Sequence, residues 1–80
     1  MINDFDNLIF NLENGNSYEL IDNVVYDNHI YVYLINVNDE LDSLFRLLVK
    51  NDDGYILEDI DSTQFRDNIF PLFVEKFENY

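Results

Sequence analysis

The chain has 80 residues, of which 17 are acidic and four basic, so its net charge is −13, and it contains no cysteine. That length allows one domain, residues 1–80, with a small core. The missing thiols exclude disulfides, zinc–thiolate sites and cysteine nucleophiles. So large an excess of carboxylates repels nucleic acid and anionic lipid and attracts basic proteins and divalent cations.

Charge alone would favour disorder, but an apolar content of 48%, with seven Phe and six Tyr, argues for a packed fold. No basic stretch followed by an apolar run opens the chain, and no apolar run nears the ~20 residues of a bilayer span. Together with the absent cysteines, these features predict a cytoplasmic protein.

The first apolar stretch is Leu8-Ile9-Phe10, ending at Leu12. Asn14-Gly15 follows, a strong hairpin signal because a type I′ turn needs positive φ at both central residues. A second run extends from Tyr18 to Tyr26, and Asp27-Asn28 supplies the next turn. Ile30-Tyr31-Val32-Tyr33-Leu34-Ile35 is β-branched and aromatic on both faces, which predicts a central strand covered on both sides. Asn38–Asp42 reads as an acidic loop, Leu44–Lys50 as a fourth strand, Asp52-Asp53-Gly54 as a turn, and Tyr55–Leu57 as a short fifth strand.

The period then changes. Phe65, Ile69, Phe73 and Phe77 recur every four residues, which predicts a C-terminal helix with one aromatic stripe buried. Asp61 or Ser62 is the expected N-cap, and Asp61 with Gln64 has capping-box spacing. Pro71 lacks a backbone donor and crowds the carbonyl of Asp67, predicting a kink or restart near 68–71. The expected fold is α+β: an antiparallel sheet of four or five strands with this helix on one face.

The series Glu13-Asn14-Gly15-Asn16, Tyr26-Asp27-Asn28-His29-Ile30-Tyr31-Val32, the acidic break at 38–42, Asp52-Asp53-Gly54, Glu58-Asp59-Ile60-Asp61 and a Phe-containing terminal helix resembles the domain of unknown function 1292 family. These are small acidic bacterial proteins. The resemblance covers Leu12 to Phe77. It departs from the family pattern in lacking a proline near Asn36 and in carrying Pro71. It implies the same sheet-plus-helix fold and no catalytic residues.

The residues themselves offer little chemistry. His29 is the single histidine, in an expected turn, and without cysteine it cannot build a standard zinc site unless carboxylates complete it. Asn51-Asp52-Asp53-Gly54 looks like the start of a calcium loop. With Gly54 at position six, however, Val49 and Ile60 fall where ligands must stand, and the match fails. A glycosidase would need two carboxyls across a cleft, for which so short a chain has little room. Gly15 and Gly54 are the only glycines, so there is no phosphate-binding loop. Scattered bases cannot neutralise a phosphate backbone, and Tyr31 and Tyr33 read as sheet packing rather than a stacking platform. No catalytic residue, metal ligand or cofactor is expected.

The sequence therefore points to a non-enzymatic interaction protein. In size and charge it resembles small phage or mobile-element inhibitors of CRISPR nucleases and other defence enzymes, whose acidic surfaces occupy basic nucleic-acid-binding sites. The expected contact residues are Asp39, Glu40, Asp42, Asp52, Asp53, Glu58, Asp59 and Asp61. Phe70 and Val74 fall off the helix stripe and, if exposed, would suit homodimerisation or partner docking. Three alternatives stand beside this reading: a housekeeping adaptor with an endogenous basic partner, a divalent-ion-binding protein, and charge that serves solubility alone.

Overall fold

The structure is a computed structural model, and it describes residues 8–12 and 14–78. Glu13, part of the family resemblance above, lies outside them. Five strands form one antiparallel sheet in the order of the chain: β1 (Ile9–Asn11), β2 (Ser17–Tyr26), β3 (His29–Asn36), β4 (Asp39–Asn51) and β5 (Gly54–Glu58). A C-terminal helical segment follows, giving the expected α+β fold.

The turns are set locally. Asp27 and Asn28 both have positive φ, 52° and 64°, the type I′ geometry that matches strand twist, and they join the pair Tyr26↔His29. His29 is thus the exposed first residue of β3 rather than a turn residue. Asn14-Gly15 lies inside a longer connection. Leu12 N–H donates to Asn16 O at 2.9 Å, and Gly15 supplies the one φ there, +84°, that a side chain would resist.

Cross-strand partners share a face, so the register divides the sheet into two apolar layers. On one face, Leu34 lies between Leu20 and Leu44, and Val32 is fully buried beside them. Phe10 and Leu12 from the β1 end and Tyr55 and Leu57 from β5 pack on this same cluster. Opposite ends of one sheet meet there, so the sheet curls into a half-barrel. On the other face, Tyr31 lies between Val24 and Leu47, and Tyr33 between Asp22 and Phe45. This layer receives the helix through Ile69 and Phe73, both fully buried.

A bulge makes the two layers compatible. Leu20 pairs with Leu34 but Asp22 with Tyr33, so Ile21 has no partner on β3. Without that extra residue, alternation would put Tyr18, Leu20, Asp22, Val24 and Tyr26 on one face. With it, Tyr18 and Leu20 enter the half-barrel interior, while Val24 and Tyr26 turn to the helix. The single run expected at Tyr18–Tyr26 is one strand serving two cores.

The acidic loop expected at Asn38–Asp42 is a correction. Only Val37 and Asn38 form the turn, and β4 begins at Asp39. Ile35 pairs with Ser43 and Asn36 with Asp39, which leaves Glu40, Leu41 and Asp42 as three bulged residues on β4. Leu41 stands at the outside of the bulge, 91% exposed, and Asp42 turns inward. Tertiary pairing has overridden the poor strand propensity of acidic residues.

The helical segment comprises α1 (Ser62–Gln64), a π-helical turn (Phe65–Ile69) and α2 (Phe70–Glu78). Asp61 is the N-cap, its carboxylate accepting from Gln64 N–H at 3.0 Å. The expected irregularity falls one turn before Pro71, where Phe70 N–H donates to Phe65 O, five residues back. A four-residue repeat drifts ~40° per step around a 3.6-residue helix, and the wider π turn absorbs that drift between Phe65 and Ile69. Further on the drift resumes. Phe77, expected in the buried stripe, is 39% exposed at the rim, its ring centroid 5.8 Å from that of Tyr33.

Candidate functional site

The eight carboxylates expected at the contact surface belong to β4, the β4–β5 turn, the end of β5 or the chain after it. Their side chains differ in what they do. Asp39, Glu40, Asp52, Asp53, Glu58 and Asp59 are exposed. Asp39 accepts Leu41 N–H at 3.1 Å, and Asp59 lies 3.5 Å from Arg46 Nε. Asp61 is spent on the helix cap, though still exposed.

Asp42 is an internal residue in function. Its Oδ2 accepts the Tyr18 hydroxyl at 2.6 Å and Asn36 Nδ2 at 3.1 Å. Tyr18 and Asn36 are cross-strand partners and both are buried. The hydroxyl of Tyr18, then the amide of Asn36, hold the Asp42 carboxyl below its usual pKa. The same hydrogen bond to a carboxylate, with burial, raises that of Tyr18. A carboxylate tied this way ties β2, β3 and β4 together and is poorly placed to meet a partner.

The contact residues do not converge on one flat patch. Asp39 and Glu40 stand at the start of β4, and Asp52 and Asp53 follow its end. The two groups therefore lie at opposite ends of β4 in the curled sheet. Glu58, which pairs with Leu47, and Asp59 stand between the two groups.

Two features were missed. Asp22 is a buried carboxylate at the β2 bulge, and Lys76 Nζ reaches both its Oδ1, at 2.5 Å, and Asn23 O, at 2.7 Å. Asp22 also accepts Asn23 N–H at 2.8 Å. No spacing in the sequence marks this pair. The other is an open cleft of about 470 Å³ where Phe45, Arg46, Asp59, Ile60, Ser62 and Phe65 meet. It forms because the chain after β5 crosses back over β4, bringing Asp59 to Arg46, whose Nη1 also donates to Phe45 O at 2.8 Å.

Among the described residues, no group of three or more His, Cys, Asp or Glu is arranged to hold a metal ion. No helix among them is long and apolar enough to cross a membrane. Phe70 and Val74 are 44% and 36% exposed on α2, so the off-stripe expectation for them holds. Comparison of the chain with protein-family models, curated proteins and solved structures gives no match.

Proposed function

We propose that this protein acts by binding, and that its acidic surface occupies the nucleic-acid site of a basic protein and inhibits it. The observation that carries the reading is a net charge of −13 on a folded domain whose carboxylates Asp39, Glu40, Asp52, Asp53, Glu58 and Asp59 are exposed. These carboxylates, spread over the start of β4, the β4–β5 turn and the end of β5, offer anionic groups to the Lys and Arg side chains that otherwise neutralise phosphates. Inhibition of a phage-defence nuclease is one setting in which such a mimic serves.

The test combines capture with charge reversal. The tagged protein is used to capture its partner from host lysate, and the partner is then challenged with duplex DNA or RNA. A nucleic-acid-binding enzyme displaced by nucleic acid supports the reading. Reversing Asp39, Asp52 and Glu58 to Lys should weaken that complex by about a hundredfold or more, equivalent to ~2.7 kcal/mol. Unchanged affinity with an intact fold sinks it.

A second reading, an adaptor for an endogenous basic partner, draws on exposed Phe70 and Val74. It predicts a complex that survives high salt, ignores nucleic acid and is lost in Phe70→Ser with Val74→Ser. A homodimer through the same two residues would show as a concentration-dependent mass in solution.

A further inference from the structure

The curl of the sheet brings three consecutive residues of the β1 end, Phe10, Asn11 and Leu12, opposite Tyr55, Ile56 and Leu57 of β5. Between them lies an open cleft of about 270 Å³, walled by these side chains and by backbone. A second cleft of about 540 Å³ shares the walls Leu12 and Leu57 and is otherwise lined by Asn14, Arg46, Glu58 and Asp59. We propose that this seam binds an extended segment of a basic partner protein, seating an apolar side chain in the first cleft and a Lys or Arg two residues along in the second.

The proposal rests on the reading that the partner is a basic protein, and names where and how one of its segments is held. Same-side side chains of an extended chain stand ~6.6 Å apart, the scale of two clefts that share walls. Each cleft has room for side chains rather than a whole domain, which fits a segment laid along the seam. Charge selects the occupant. Glu58 and Asp59 are exposed at the second cleft. Arg46 there is engaged by Phe45 O at 2.8 Å and by Asp59 at 3.5 Å, which leaves Glu58 as the carboxylate that meets the partner's cation. A nucleic acid, or a second copy of this chain with its own charge of −13, is repelled from the same seam. A basic segment is drawn to it, and the first cleft supplies the specificity that charge alone lacks.

The experiment is a titration of the full chain, labelled with nitrogen-15, with a synthetic peptide repeating Val-Thr-Lys-Thr, read by amide chemical shifts at low salt. The expected result is saturable binding with the largest shifts at Leu12, Asn14, Ile56 and Leu57. A peptide with each Val replaced by Thr should bind about fivefold or more weaker. Two double variants change the net charge equally: Glu58→Lys with Asp59→Lys at the seam, and Asp67→Lys with Glu78→Lys on the helical segment away from it. The first should weaken binding about tenfold or more and the second less than about threefold, with matched melting curves. Equal weakening by both pairs, or shifts centred elsewhere, overturns the seam and leaves the acidic-surface reading standing. Absence of any binding by the wild-type chain overturns the seam and counts against that reading too.

Discussion

Replacing Lys76 should loosen the helix from the sheet, because it leaves Asp22 as a buried carboxylate without its cation. The Asp22 side chain is 10% exposed and that of Lys76 40%, so the pair is neither a surface pair nor a fully dry one. Exposed pairs contribute ~0.2–1 kcal/mol, whereas removing one partner of a buried pair costs ~3–5 kcal/mol. The geometry places Lys76→Met between these limits, at about 2 kcal/mol. Methionine keeps the apolar stem, so the loss isolates the charge and its hydrogen bonds to Asp22 Oδ1 and Asn23 O. For a domain of this size each kcal/mol lowers Tm by ~4–8 °C, so the variant should melt ~8–16 °C lower in a thermal scan. Asp22→Asn added to Lys76→Met should recover part of the loss, since no charge is then buried unpaired. A coupling energy near zero in that double-mutant cycle, or a Tm within ~2 °C of wild type for the single variant, would refute the argument.

Four further outcomes follow from the same contacts. Phe73→Ala, emptying a fully buried site under the helix, should cost ~3–5 kcal/mol in urea unfolding. Asp61→Ala should cost only ~1 kcal/mol, the value of an N-cap, and reduce helical circular dichroism before the sheet signal changes. The Tyr18–Asp42 bond sets a pH window. The lowered pKa of Asp42 contributes stability that is present above the unfolded value, near ~4, and is lost as pH falls through the folded value. The raised pKa of Tyr18 contributes stability that is full below ~10 and is lost as pH rises through its folded value. The urea-midpoint difference between wild type and Tyr18→Phe should therefore be flat around neutrality and shrink at both extremes; a difference that grows in acid would contradict the assignment. Sodium chloride should raise Tm between low and moderate ionic strength, because screening relieves the self-repulsion of a chain at −13, and a flat response would show that the carboxylates do not repel in the fold.

What the sequence determined by itself was local. Asp27-Asn28 and Gly15 specify turns through the φ values they tolerate, the run from Ile30 to Ile35 specifies a strand buried on both faces, and Asp61 specifies where the helix starts. The four-residue stripe located Ile69 and Phe73 in the core, and Pro71 announced a disturbance. Each of these depends on neighbours within a turn or a strand. The tertiary structure decided whatever depends on residues brought together from afar. The bulge at Ile21 exists because one strand must feed two cores, and nothing near it in the chain demands an extra residue. Asp42 is taken out of the acidic surface by Tyr18, 24 positions away, and Asp22 is paired with Lys76 across 54 positions. The exposed carboxylates are separated because the length of β4 stands between Asp39 and Asp52, and the curl of the sheet brings β1 towards β5 to make the seam. Composition could count the charges, but only the register and curl of the sheet determine which of them face solvent and which face one another.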